Sequence, residues 1–142
     1  MTDNSNSSTV VPAGRAAGSR EAREAAAASA FPASSAAAAS VITVVEPEAF
    51  APLGPLGEWL FAEGAALRMV RPWRGEPIPS LDEIDDGLVV LGGSMSAHDE
   101  GDHPWLADLR ELLCGVVDDG IPTIAICLGA QVAAEALGGT TA

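Results

Sequence analysis

The cysteine at position 127 stands where a nucleophile could act. It follows the short apolar segment 123–126, which is typical of a buried parallel strand, and it precedes segment 128–137, whose composition predicts a helix. Cys127 would then lie at a helix N-terminus, where unpaired N–H groups and the positive end of the helix dipole favour a thiolate or an oxyanion. Gly129 would let the backbone pass close to this turn without a Cβ clash.

Packing is a simpler explanation for a cysteine, because free cysteines are among the residues most often buried in proteins. Cys114 fits that explanation, since it lies in the apolar pattern of the predicted helix 105–117, where a small side chain only fills space. We assign Cys114 to packing. For Cys127, the spacing alone leaves both catalysis and packing open.

The chain has 142 residues and a net charge of −13. All of that net charge lies in residues 41–142, where 17 acidic residues face four arginines, which disfavours nucleic acid or an anionic membrane as a partner. The two cysteines form neither a CxxC metal pair nor a disulfide framework, so we expect a reducing, cytoplasmic setting and no metal or other cofactor. The sequence shows no membrane-spanning apolar run and no signal-peptide layout.

The chain divides near residue 40. Residues 1–40 are rich in alanine and serine and show no core pattern, which predicts a disordered tail. In residues 41–142 the predicted strands are 41–45, 66–70, 88–91 and 123–126, and the predicted helices are 53–64, 105–117 and a last one ending at 137.

Strands that alternate with helices through short loops predict an α/β fold, in which a doubly wound parallel sheet forms the middle of three layers. Ligands bind such folds at the carboxyl ends of the strands. Gly92 and Gly93 directly follow the third predicted strand, and Cys127 follows the fourth. We therefore expect the two glycines and the cysteine to meet at one edge of the sheet.

Residues 41–142 resemble the N-terminal part of a class I glutamine amidotransferase domain, in particular the GMP synthase-like members. The motifs that carry the resemblance are Leu-Val-Val-Leu-Gly-Gly-Ser-Met-Ser-Ala at 88–97, Pro-Trp-Leu at 104–106 and Ile-Cys-Leu-Gly-Ala-Gln at 126–131; weaker ones lie at 71–73 and 75–77. A nucleophile elbow with glutamine four residues after the cysteine, preceded by a Gly-Gly loop, is a specific combination. The resemblance implies a flavodoxin-like fold.

The resemblance also implies an activity, the hydrolysis of the glutamine side-chain amide to glutamate and ammonia through a thioester on Cys127. The backbone N–H groups of Gly93 and Leu128 would stabilise the oxyanion. Glutamine is the implied substrate, and any ammonia acceptor or synthetase partner is left open. The residues that would contact the substrate are Gly92, Gly129 and Gln131.

The sequence departs from the family pattern in two ways. Ala125 stands where many members have glycine, and the His-x-Glu triad partners that members carry after the nucleophile are absent from a chain that stops at Ala142. His98 and His103 precede the nucleophile in an acidic loop, and we do not expect either to be the base. The chain is interpreted as a partial domain that is weakly active or inactive alone, with an exposed sheet edge that makes it marginally stable and prone to associate.

Two other functions remain open. A γ-glutamyl peptide hydrolase, or another hydrolase with a cysteine at an elbow, would share the architecture, although Gln131 favours the amidotransferase. A non-catalytic binding or regulatory module would retain the fold without the triad partners. The sequence contains no nucleotide-binding loop, so GMP synthesis itself is not indicated.

Overall fold

The sheet is built from four short segments dominated by apolar residues. In the computed structural model, which describes residues 39–142, the strands are Val41–Val45 (β1), Ala66–Val70 (β2), Gly87–Val90 (β3) and Thr123–Ala125 (β4). All neighbouring pairs are parallel, and the order across the sheet is β2-β1-β3-β4. The expectation of a disordered tail concerns residues that lie outside this range, apart from 39 and 40.

The strand register brings the carboxyl ends of the four strands to one level. Val45 of β1 is paired with Val70 of β2 and with Val90 of β3, and Val90 is paired with Ala125 of β4. The ladder continues one residue further between β3 and β4, because the N–H of Ile126 donates to the carbonyl oxygen of Val90 at 2.9 Å. The segments that follow β3 and β4 therefore leave the sheet side by side.

Helices cover both faces of the sheet. Pro55–Ala62 (α1) lies on one face, while Trp105–Asp118 (α2) and Leu128–Ala136 (α3) pack together on the other. Alternate residues of each strand feed the two cores, as the strand period of two requires. Val44, Val89 and Leu91 form the core under α1, whereas the larger core includes Val45, Leu88 and Val90 together with leucines of α2. The predicted three-layer parallel α/β fold is confirmed.

The element boundaries differ from those predicted by one or two residues. The first helix begins at Pro55 and not at 53, because Gly54 has a positive φ of 54° that is incompatible with a right-handed helix. It ends at Ala62, and Gly64 follows in the left-handed region at a φ of 87°. The loop between β2 and β3 contains two 3-10 turns, Pro72–Arg74 and Leu81–Glu83, that the sequence did not indicate.

β4 is the edge strand of the described sheet, and its surroundings are partly open. Ile124 and Ile126 are 46% and 42% exposed, and Ile124 is paired with Val89 on the face that α1 covers elsewhere. An apolar strip therefore borders a free strand edge, which is the arrangement that promotes association between chains. Among the described helices, none is long and apolar enough to cross a membrane.

Candidate active site

Cys127 has an unusual backbone conformation. Its φ is 53° and its ψ is −112°, and it is the only non-glycine residue with positive φ in the described part of the chain. A side chain with a Cβ adopts such dihedrals only when the surrounding structure forces it to, and such positions cluster at functional sites. The residue lies between β4 and α3 as the N-cap of the helix, and its side chain is exposed.

Close packing of α3 on β3 forces this sharp turn. A Cβ added to Gly129 would lie 2.6 Å from the carbonyl oxygen of Val90 and 2.8 Å from its Cγ1. Only glycine allows that approach, and the neighbouring Leu128 is almost completely buried at 1% exposed. Gly129 therefore acts through helix–strand packing, and it sets how closely the first turn of α3 approaches the sheet.

The glycine pair after β3 lies directly against this turn. A Cβ at Gly92 would be 3.3 Å from the Cβ of Cys127 and 3.8 Å from its Sγ. A Cβ at Gly93 would be 3.0 Å from Cδ2 of Leu128. The structure thus brings together four of the residues that the sequence singled out, in one shallow site at the carboxyl edge of the sheet.

Two backbone N–H groups of this site have no hydrogen-bond partner among the described residues. Within residues 39–142, neither the N–H of Gly93 nor that of Leu128 donates a hydrogen bond, and Leu128 is the first residue of α3. The first N–H groups of a helix have no partner inside the helix and add to the positive end of its dipole. Both unpaired N–H groups therefore belong to residues that adjoin the turn at Cys127.

Gln131 lies one helical turn beyond the cysteine. Its N–H donates to the carbonyl oxygen of Cys127 at 3.0 Å, and its side chain is exposed. Residues four apart lie on the same face of a helix. Gln131 and Cys127 are therefore both exposed at the N-terminal end of α3.

Neither histidine contacts the thiol. Nε2 of His98 lies 3.0 Å from Oε1 of Glu135, which is eight residues after Cys127 on α3 and hence about 12 Å further along the helix axis. The ring of His103 packs against Trp105 with a centroid distance of 5.8 Å. Of the residues from 39 to 142, none forms a hydrogen bond to Sγ of Cys127, so the thiol has no paired base within the described part of the chain.

Glu135 fastens the acidic loop to α3. It accepts hydrogen bonds from Arg110 and Thr141 and pairs with His98 of the loop, and Arg110 in turn donates to the carbonyl oxygen of Ala97 at 2.8 Å. The hydroxyl of Thr141, followed by the charges of His98 and Arg110, lowers the pKa of Glu135 below its ordinary value. The loop that follows the glycine pair is thus held by an ionised side chain.

Cys114 lies away from this site. Its Sγ donates to the carbonyl oxygen of Ala136 at 3.0 Å, and it is half-buried between α2 and α3. That environment agrees with a packing role. The described residues also contain no cluster of three or more histidine, cysteine, aspartate or glutamate side chains that could bind a metal ion.

Comparison with known families decides the assignment. The family model described as "Glutamine amidotransferase class-I" matches residues 65–142, which is more than half of the chain and includes Gly92, Gly93, Cys127 and Gln131. The chain belongs to the class I glutamine amidotransferase family. A search of curated proteins found no match.

The fold of this amidotransferase chain is similar to those of solved structures. A glutamine amidotransferase from Methylobacillus flagellatus is 31% identical, with a TM-score of 0.65, over 71% of this chain and 40% of its own. One from Thermotoga maritima is 26% identical, with a TM-score of 0.64, over 70% of this chain and 43% of its own. The chain therefore spans about two fifths of the length of the solved relatives that it matches.

One contact of the amidotransferase site was not anticipated from the sequence. Glu48, in the loop after β1, accepts a hydrogen bond from the N–H of Ser94 at 2.8 Å and another from its hydroxyl at 2.9 Å. The signal in the sequence was an acidic residue just beyond a predicted strand, at the edge where ligands bind. Its partner lies 46 positions away and could not be identified without the strand order.

Proposed function

We propose that Cys127 is the nucleophile of a glutaminase reaction, in which the side-chain amide of glutamine is hydrolysed to glutamate and ammonia. The observation that carries the proposal is the strained, exposed conformation of Cys127 at the junction of β4 and α3, with Gly92 in contact with it. Strain at a solvent-accessible thiol has no packing benefit. It does aim the sulfur at whatever occupies the carboxyl edge of the sheet.

The first step forms a bond between Sγ of Cys127 and the side-chain amide carbon of glutamine. The electron pair of the carbonyl moves onto its oxygen, which becomes negatively charged. In our proposal this oxyanion accepts hydrogen bonds from the N–H groups of Gly93 and Leu128. Donors placed in this way contribute about 10²–10³-fold each to the rate of acyl transfer.

The second step breaks the carbon–nitrogen bond, and nitrogen leaves as ammonia after taking a proton. A glutamyl thioester remains on Cys127, and water then attacks its carbonyl carbon, releasing glutamate and returning the proton to the thiol. Gln131 supports the choice of glutamine, since its exposed side-chain amide has both a donor and an acceptor with which to hold the substrate.

Residues 39–142 provide no proton acceptor for the thiol, because His98 is paired with Glu135. We therefore expect this chain to form the thioester slowly and to turn over poorly. An external base should compensate in part, so ammonia release should rise with added imidazole in proportion to its neutral form.

The test measures ammonia release from glutamine together with trapping of the thioester by hydroxylamine, which yields the γ-hydroxamate of glutamate and frees the thiol. We expect both signals in the wild type and in Cys114→Ala, and neither in Cys127→Ala. The same assay with γ-glutamylglycine separates the alternatives. Faster cleavage of that peptide indicates a γ-glutamyl peptide hydrolase, and glutamine binding without any hydroxamate indicates a binding module.

A further inference from the structure

We propose that Glu48 is a positioning residue that holds the Gly92–Gly93 turn in the geometry needed to stabilise an oxyanion. The proposal rests on the function proposed above, since it takes the N–H of Gly93 as an oxyanion donor. Glu48 itself does not touch the thiol or the substrate position; it acts through Ser94, the residue that follows the turn.

Two sets of hydrogen bonds hold the turn, one on each side of the glycine pair. The acceptors are at the end of β1 and in the loop that follows it. On the strand side, the N–H of Leu91 donates to the carbonyl oxygen of Val45 at 3.0 Å. On the loop side, both donors of Ser94 bind the carboxylate of Glu48 at 2.8 and 2.9 Å. Within residues 39–142, the N–H groups of the two glycines between these points donate no hydrogen bond to the protein.

A pair of glycines with free N–H groups has wide conformational freedom, because neither residue carries a Cβ that restricts its dihedrals. The direction of the Gly93 N–H therefore depends on the two fixed ends. Removing the carboxylate of Glu48 would release one end, and the side-chain atoms nearest to the Cβ position of Gly93, from Met95, Leu128 and Pro47, accept no hydrogen bond from its N–H. If the N–H of Gly93 points away, the hydrogen bond that stabilises the oxyanion becomes much weaker, because hydrogen-bond strength depends strongly on angle.

A direct electrostatic role for Glu48 would oppose catalysis, because a carboxylate near a forming oxyanion repels it. Two hydrogen bonds from Ser94 occupy the carboxylate and explain why it is tolerated there. We therefore expect the hydrogen bonds of residue 48 to Ser94 to matter for oxyanion stabilisation, and its negative charge not to matter. Glu48→Gln can still accept from the N–H of Ser94 and donate to its hydroxyl, so it should preserve the function that Glu48→Ala removes.

The experiment compares two reactions of the thiol of Cys127 in the full chain. p-Nitrophenyl acetate acylates it through a tetrahedral oxyanion, forming a thioester and releasing p-nitrophenolate, whereas iodoacetamide alkylates it by displacing iodide, with no oxyanion. Rates measured in Cys127→Ala are subtracted to remove the contribution of Cys114. The readout is the ratio of the acylation rate to the alkylation rate.

We expect the ratio to fall about tenfold in Glu48→Ala, less than the 10²–10³-fold loss of an entire donor, because the N–H is misdirected and not deleted. Glu48→Gln should stay within about twofold of the wild type, and Ser94→Ala, which retains its N–H bond, should fall between the two. Glu58→Ala, which removes an exposed carboxylate on α1, is the matched control and should leave the ratio unchanged.

An unchanged ratio in Glu48→Ala would overturn the proposal, and so would an equal fall of both rates, since that would mean a general structural effect on the thiol. Glutamine takes no part in this assay. A fall in the ratio without ammonia release from glutamine would therefore support the positioning role of Glu48 and contradict the glutaminase proposal. Ammonia release with an unchanged ratio in Glu48→Ala would support the glutaminase proposal and contradict the role of Glu48.

Discussion

Gly129 lies so close to β3 that a Cβ on it would be 2.6 Å from the carbonyl oxygen of Val90. The contact is with backbone, which cannot rotate away as a side chain can. The first turn of α3, and with it Cys127, is therefore seated directly on the strand that leads into the glycine pair. The distance between Cys127 and the glycine pair therefore depends on this helix–strand contact.

Gly129→Ala should destabilise the fold, because either α3 or β3 must move to make room. We expect a loss of about 1–3 kcal/mol in the free energy of unfolding, measured by urea titration. Gly101→Ala is the matched control, since nothing lies within 4 Å of the added Cβ, and it should change stability by less than about 0.5 kcal/mol. Equal effects at the two positions would show that α3 is not closely packed on β3.

Cys127→Gly should be more stable than Cys127→Ala. Alanine retains the Cβ that makes a φ of 53° and a ψ of −112° unfavourable, whereas glycine adopts these dihedrals without strain. The expected difference in the free energy of unfolding is about 1 kcal/mol in favour of glycine, even though glycine has the more flexible unfolded chain. An alanine variant as stable as the glycine variant would contradict the strained turn.

Acidification should weaken the attachment of the acidic loop to α3. The pKa of Glu135 is lowered in the folded chain, first by the hydroxyl of Thr141 and then by His98 and Arg110, so ionised Glu135 stabilises the fold above its ordinary value of 4.5. That contribution is lost as the pH falls through the lower, folded value. The difference in unfolding free energy between wild type and Glu135→Gln should therefore shrink from about pH 6 to about pH 3. A constant difference across that range would contradict the role of the carboxylate.

The open edge at β4 should mediate association of the chain. Ile124 is 46% exposed beside a free strand edge, so Ile124→Lys should lower the apparent mass at high concentration in analytical ultracentrifugation. Val117→Lys is the matched control, because Val117 is 49% exposed on α2, on the opposite face of the sheet. If only the Val117 variant reduced association, the contact would lie on α2.

Local patterns were sufficient to predict most of the fold. Apolar residues in 41–45 and 66–70 predicted these strands to the residue, although Arg68 interrupts the second segment and only its last residue, Val70, is buried. Helix ends were less certain, since the start of α1 depends on the positive φ of Gly54, which the residue type permits but does not require.

The candidate site was predictable where its residues follow strand ends and was missed where it depends on distant pairs. The contact of Gly92 with Cys127 follows from two loops that leave neighbouring strands. The bonds between Glu48 and Ser94, and between His98 and Glu135, join residues that no local pattern connects. Such contacts require the strand order and the path of each loop, which become visible only in three dimensions.

The most direct test is the mass of the peptide that contains Cys127, released by a protease that cleaves at aspartate after the chain is incubated with glutamine and quenched in acid. Acid preserves a thioester, and cleavage at Asp118 or Asp119 separates the two cysteines because both aspartates lie between them. We expect a glutamyl adduct on Cys127, none on Cys114, and loss of the adduct on treatment with hydroxylamine. Absence of any adduct at saturating glutamine with imidazole present, or an adduct on Cys114 alone, would contradict it.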